Sequence, residues 1–374
     1  MKKHINYYLL FLAVALVVFG ILFLSTLSAP ASMRSFGNTN YYLMHQLYLL
    51  LAGIILAVIA YKFPLNYFKK IAPILLFVNL ALLMVVLLPG IGAEFWGAKR
   101  WINIGIGTFQ PSEFLKITAI LYLSAWISNR LSEGRKGGWI STAKKGYHNL
   151  TRVFVPFIIF LIIISVFLVL QPDISTLGII GLTLVLMYFF AGTPIWNTVL
   201  IFLAAVGGFF ALIKFEPYRM DRWLIFLHPE TDPLGKGFQM KQSLIAIGSG
   251  GIFGKGWGMS SQKFGFLPQA MSDSIFAILG EETGIIGCLF LVFLFALFLW
   301  FGVKIAKSSN DKFSQLTALG ITFWITIQAF FNIAANLGIA PLAGIPLPFF
   351  SYGGSHLVTE LLGVGILLNI SKNG

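Results

Sequence analysis

Ten apolar stretches, most of them close to twenty residues, dominate this chain. They run roughly over 8–27, 43–61, 71–89, 113–128, 153–170, 175–192, 197–214, 274–303, 314–335 and 356–371. A helix of about 20 apolar residues spans the hydrocarbon core of a bilayer, and a spanning segment must satisfy its own backbone polar groups. The expected fold is therefore an all-α polytopic membrane protein with about ten transmembrane helices. Composition agrees. Of 374 residues, 57% are hydrophobic and 10% charged, with a mean hydropathy of +0.86. Soluble domains carry about 25% charged residues. A soluble enzyme, a disordered chain and a nucleic-acid module are thereby excluded.

The net charge of +13 reads as an orientation signal. With the N-terminus inside, the inner segments hold Lys2, Lys3, Lys62, Lys69, Lys70, Arg130, Arg135, Lys136, Lys144, Lys145, Arg152, Lys304, Lys307, Lys312 and Lys372. Only Glu133 and Asp311 oppose them, which leaves eleven charges of each sign outside. Both termini are expected in the cytoplasm, and 1–374 reads as one transmembrane domain. The apolar run 8–27 shows no clear cleavage site after it and reads as a retained span. The single cysteine, Cys288, excludes an internal disulfide and reads as a small buried hydrophobe.

Three outward loops carry the ionisable residues that could do chemistry. The first, 90–112, holds Trp96, Lys99, Arg100 and Trp101 and leads into Gln110, Ser112 and Glu113. Lys99 and Arg100 are either interfacial anchors or adjacent cations for a phosphate. Ser112 reads as a helix N-cap with Glu113 in the first turn. The second, about 215–273, is an unusually long extracytoplasmic loop with mixed charges (Arg219, Asp221, Arg222, His228, Glu230, Asp232, Lys236, Lys241, Lys255 and Lys263). Its glycines between Gly248 and Gly258 match neither GxxxxGK[ST] nor GxGxxG, so no nucleotide fingerprint is present. They suit tight turns or close approach to a ligand. The third, 336–355, reads NLGIAPLAGIPLPFFSYGGS.

Asp273 stands where the long loop enters the eighth span. It reads either as that helix's N-cap or as a general base, since a carboxylate beside a low-dielectric region can have its basicity tuned. Glu281 and Glu282 lie further along the same span, buried, paired or protonated. Asp173 reads as an N-cap and His356 as an interface hydrogen-bonding group. His228, without Cys or His partners, is a poor metal ligand.

Five segments carry a resemblance: WGAKRWINIG with QPSEFLK, LQPD, HPETDPLGKGFQMKQSLIAIGSGG, SQKFGFLPQAMSDSIFAILGEETG and PLPFFSYGGS. In this order, over residues 96–355, they resemble the SEDS (FtsW/RodA/SpoVE) family of polytopic peptidoglycan glycosyltransferases. The resemblance implies an enzyme of the bacterial cytoplasmic membrane that polymerises lipid II at the outer face and releases undecaprenyl pyrophosphate. Total length and the short loop after Ser25 fit the division type, at the septum, better than the elongation type. The family's essential aspartate maps onto Asp273, as general base for the acceptor's 4-hydroxyl. Lys99, Arg100, Lys236 and Lys263 would neutralise the pyrophosphate. Glu113, Gln239, Gln242, Gln262 and Ser351 complete the expected substrate-binding set. No cofactor is evident. A divalent cation such as Mg or Mn could share the neutralisation, although the sequence shows no ligand set for one. The implied partners are lipid II, a class B penicillin-binding protein transpeptidase and division-complex membrane proteins. A flippase is the alternative reading of the same spans. Within the key segment, Gln269, Ser272 and Ser274 replace the family's usual Glu, Thr and Phe. Gln269 puts any role for a carboxylate at that position in doubt.

Overall fold

The computed structural model describes residues 5–373 apart from 91, 96, 97, 104, 106, 137–149, 216, 233 and 234. The helices are α1 (Tyr7–Phe36), α2 (Tyr41–Lys62), α3 (Leu65–Leu87), α4 (Pro111–Lys136), α5 (Val155–Leu170), α6 (Ile174–Phe190), α7 (Ile195–Phe215), α8 (Pro217–Leu227), α9 (Lys236–Gly250), α10 (Ile275–Ser308), α11 (Lys312–Asn336) and α12 (Gly354–Asn373). Among the described residues, seven are long and apolar enough to cross a membrane: α1, α2, α3, α5 with the turn before it, α10, α11 and α12. Shorter apolar helices cover α6 and residues 195–208 of α7. With α4 these occupy all ten stretches expected from hydropathy.

α4 is the span that charge would argue against, and burial explains it. Nearly every residue from Pro111 to Ser128 is buried, between α3, α11 and α12. Glu113 and Lys116 therefore meet protein and not lipid. α11 and α12 are likewise mostly enclosed, whereas α2 and α3 turn most of their apolar side chains outward. Large exposed hydrophobics such as Tyr48, Phe77 and Val78 are what a lipid-facing surface needs.

The two ends of the chain meet. Asn6 N–H donates to Ser371 Oγ at 3.3 Å, and Asn369 Nδ2 donates to the carbonyls of Ala60 and Phe63 at the α2–α3 turn. Both termini thus share a face with the basic turn at Lys62. Lys2, Lys3, Lys144 and Lys145 lie outside the described residues.

Two departures from the sequence reading concern the outward loops. The 90–112 loop folds into a three-stranded antiparallel sheet, β1 (Gly92–Phe95), β2 (Ala98–Asn103) and β3 (Thr108–Phe109), in the order β1-β2-β3. Lys99 faces Glu94 across it. The 215–273 stretch is not an open loop. It contains α8 and α9, and residues 251–263 fold back onto α10.

That fold-back is built around Glu281 and Glu282, both fully buried. Glu281 accepts from Lys255 Nζ at 2.7 Å, from Ser261 N–H and Oγ–H, from Gln262 N–H and from the Ser260 hydroxyl. Glu282 accepts from the N–H groups of Gly258 (2.8 Å) and Ser260 (3.2 Å). α10 breaks at Gly284, which has φ 65°. The carbonyls of Glu281 and Glu282 accept instead from the N–H groups of Lys255 and Gly256. The glycines follow from this contact. A Cβ on Gly250 would sit 2.0 Å from the Gly280 carbonyl oxygen, and one on Gly254 would sit 2.2 Å from that of Glu282.

Gly250→Ala is expected to destabilise the protein by about 1–3 kcal/mol through overpacking. Gly248→Ala, with open space around it, is the control and should be neutral. Thermal unfolding of the purified protein in detergent checks the difference.

Candidate functional site at the outer face

Asp273 and Gln239 face residues 342–345 across a cleft lined also by Phe331 and Asn332 of α11. Its cavity volume is about 80 Å³, far below the ~300–1,000 Å³ of pockets that enclose a ligand. It is a slot open to the outer face, sized for part of a ligand. A Cβ on Gly344, at φ 65°, would lie 3.5 Å from Asp273 Oδ2. The glycine therefore brings the backbone of one wall close to the carboxylate of the other.

Asp273 is not the N-cap of α10. Ser274 takes that position, with no side-chain cap bond. Asp273 sits one residue earlier in a tight turn in which Gln269 has φ 53°. Gln269's carbonyl accepts from Ser272 N–H (3.1 Å) and Ser274 N–H (3.2 Å), and its Oε1 accepts from Ser272 Oγ at 2.9 Å. The amide at 269 thus bonds the hydroxyl beside Asp273. Gln239 Nε2 donates to Ser274 Oγ at 3.0 Å, which ties α9 to the same turn.

The other outward loops converge here. Arg100 Nε donates to the Gln171 carbonyl at 3.1 Å, and its guanidinium also reaches the Pro172 carbonyl and lies 4.0 Å from Asp173 Oδ1. Asp173 caps α6 by accepting from Thr176 N–H. Two residues on, Ser175 Oγ donates to the Ala343 carbonyl in the cleft wall. Ser112 is inside the first turn of α4 and not its N-cap. Pro111 opens that helix, and Ser112 Oγ donates to Asp173 Oδ2 at 3.0 Å. So β2, the α5–α6 turn and the cleft wall form one connected body.

The remaining expected site residues divide by burial. Glu113 is buried and pairs with Lys116 at 2.8 Å, and Lys116 also donates to Gln328 Oε1 at 2.9 Å. Lys263 is nearly buried, bonded to the Gly258 carbonyl and 3.8 Å from Glu282 Oε1. Gln262 is buried beneath the same fold-back. Ser351 is buried, accepts from Leu347 N–H and donates to the Ser272 carbonyl. The side chains of Glu113, Lys263 and Ser351 thus bind protein groups, whereas Gln262 Oε1 is buried without a hydrogen-bond partner. Lys99 on β2 and Gln242 on α9 are partly exposed. The side chains of Lys236, Arg219, Asp221 and Arg222, and all of Trp96, lie outside the described residues. His228 is exposed beside Glu230, and His356 is buried with Nε2 3.1 Å from the Ser351 carbonyl. Cys288 is half-buried.

Among the described residues that line the cleft, Asp273 is the one carboxylate. Among the described residues no group of three His, Cys, Asp or Glu could hold a metal.

Sequence reasoning passed over a polar stripe. Gln328, Asn332 and Asn336 recur every fourth residue along α11 and so share one face. Gln328 Nε2 donates to the Pro346 carbonyl, Asn332 Nδ2 to the Ile345 and Asp273 carbonyls, and Asn336 Nδ2 to the Asp273 carbonyl. Gln46 and Glu360 act similarly on the Ser351 carbonyl and the Phe349 N–H. Phe349 holds φ 66°, a left-handed conformation that this bond helps retain. Tyr352 hydrogen-bonds His45 Nδ1 at 2.9 Å. Burial, then Tyr42 and Tyr41, hold its phenol above its ordinary range, so it stays neutral there.

Breaking the buried Glu113–Lys116 pair leaves one charge uncompensated. Glu113→Gln or Lys116→Met alone should each cost about 3–5 kcal/mol, and the double substitution less than either. Thermal unfolding of the three variants tests this.

Comparison with known proteins places the chain. A family model described as cell cycle protein, covering FtsW, RodA and SpoVE, matches residues 7–374. Stage V sporulation protein E of Bacillus subtilis (strain 168) is 38% identical over 97% of this chain and 96% of its own length. A probable peptidoglycan glycosyltransferase FtsW of Trichlorobacter lovleyi is 36% identical over 97% and 92%. A chain from a solved peptidoglycan synthase complex that coordinates polymerization and crosslinking gives a TM-score of 0.75 at 28% identity, over 98% of this chain and 97% of that one. The rod shape determining protein RodA of Thermus thermophilus gives 0.69 at 23% identity over 98% and 96%, a likeness of fold. A full-length family match and relatives at this identity, on this helical frame, have one meaning: the chain belongs to the SEDS (FtsW/RodA/SpoVE) family.

Proposed function

We propose that this protein is a peptidoglycan glycosyltransferase that polymerises lipid II into glycan strands at the outer face of the bacterial cytoplasmic membrane. The observation that carries the reading is the cleft itself: one carboxylate, Asp273, at the rim of a slot open to the outer face. The acceptor's GlcNAc 4-hydroxyl attacks C1 of the donor's MurNAc. The C1–O bond to the pyrophosphate breaks, undecaprenyl pyrophosphate leaves, and Asp273 takes the hydroxyl proton. A pyrophosphate needs charge neutralisation and no protonation to leave, so a second acid of the kind hydrolases use is not required. Lys99, partly exposed on β2, is the cation best suited to that task, with Arg100 beside it. Gln239 and Gln242 on α9 suit contact with the saccharide. Gln269 leaves Asp273 without the second carboxylate of the usual family segment, so a single base suffices in this reading.

The role we favour is septal synthesis, on the FtsW relative at 36% identity, beside 38% for the sporulation protein, and the short α1–α2 connection over 37–40. The complex containing a structural neighbour joins polymerization to crosslinking. A class B penicillin-binding protein is the expected partner, alongside division-complex membrane proteins. Transport of lipid II without chemistry would use Glu281 and Glu282, but both are occupied in holding the 251–263 fold-back.

Purified protein given lipid II, with the transpeptidase present, should form glycan polymer, and Asp273→Asn should lower the rate at least 10²-fold, the lower range for loss of a general base. Polymer formed equally by the variant would remove Asp273 from the mechanism. No polymer from the wild type would favour transport.

A further inference from the structure

We propose that Asn332 is a positioning residue for Asp273. The inference rests on the reading of Asp273 as the base. Asn332 is buried on α11, a central helix. Its amide nitrogen carries two protons and uses both on backbone carbonyls. One bond goes to Asp273 O at 2.8 Å and the other to Ile345 O at 2.7 Å. These carbonyls belong to opposite walls of the cleft. A single planar amide therefore spans from the base to the wall that carries Gly344.

The backbone around Asp273 is fixed from three directions. Its own carbonyl accepts a second bond, from Asn336 Nδ2 at 2.8 Å, which fills both lone pairs. The following N–H, that of Ser274, donates to the Gln269 carbonyl. The peptide plane after Asp273 is thus held at both ends. The plane before it is held through the Ser272 carbonyl, which accepts from Ser351 Oγ. With both planes pinned, the direction of the Cα–Cβ bond of Asp273 is set, and the carboxylate keeps only its side-chain torsions. Asn336 also donates to the Asn332 carbonyl (3.0 Å) and Oδ1 (3.3 Å), which orients the bridging amide.

None of these side chains needs to touch substrate. Asn332 and Asn336 act on where the proton acceptor stands relative to the opposite wall, where the acceptor sugar must fit. Loss of the bridge should therefore slow the chemical step and leave binding of lipid II little changed. A displacement near 1 Å of a reacting group costs on the order of 10²-fold in rate.

The test is steady-state polymerisation of lipid II by wild type, Asn332→Leu, Asn336→Ala and Asp273→Asn. Leucine keeps the branched shape of asparagine and has no donor. Asn332→Leu is expected to lower kcat about 100-fold with KM within about twofold. Asn336→Ala removes one of two donors to the same carbonyl and should lower kcat about 10-fold, again with KM unchanged. A kcat for Asn332→Leu within about threefold of wild type, or a loss expressed in KM, overturns the proposal. If Asn332→Leu does not fold, Asn336→Ala decides by the same criteria. Inactive Asp273→Asn beside a fully active Asn332→Leu removes the positioning role alone. Active Asp273→Asn removes the base assignment, and the positioning role with it.

Discussion

Backbone that leaves the helical path beside a bilayer must have its N–H and C=O groups satisfied by protein, because hydrocarbon offers no partner. The outer half of this molecule is organised by that requirement. The turn bearing Asp273, the 342–353 segment and the 251–263 fold-back are all irregular, and each is fastened by polar side chains on α2, α10, α11 or α12. Asn332 and Asn336 hold the first, Gln328, Asn332, Gln46 and Glu360 hold the second, and Glu281 and Glu282 hold the third. Groups that would be costly in lipid thus build a rigid, non-helical rim on a helical frame.

The same requirement sorts the charges. Lys116, Lys263 and Arg100 all bond protein acceptors, so the outer face has fewer cations for a ligand than its sequence suggests. Arg100 is the instructive case. Its three contacts on the 171–173 turn tie the β-sheet to the segment that meets the cleft wall through Ser175. A cation that reads as a phosphate ligand in sequence here also joins the elements around the site.

The spans were legible in the sequence because hydropathy over twenty residues follows directly from the solvent. Asp173 was legible as a cap because capping is local. Asp273 could be singled out but not distinguished from a cap by spacing. That took the observation that Ser274 holds the capping position. The sheet at 92–109 and the helices of the long loop were not legible, since short elements of mixed polarity depend on what they pack against. The Gln328–Asn332–Asn336 stripe was present as a four-residue spacing. Its meaning depended on carbonyls from segments 59 and 13 residues away, for Asn332's two bonds.

In the proposed mechanism Asp273, held by its backbone, accepts the proton of the acceptor hydroxyl. A structure of the protein with two lipid II molecules, or non-reacting analogues, would test this. The acceptor's 4-hydroxyl oxygen is expected within about 2.6–3.2 Å of the Asp273 carboxylate, or bridged to it by one water. An acceptor bound with its 4-hydroxyl directed to another side chain, away from Asp273, would contradict it.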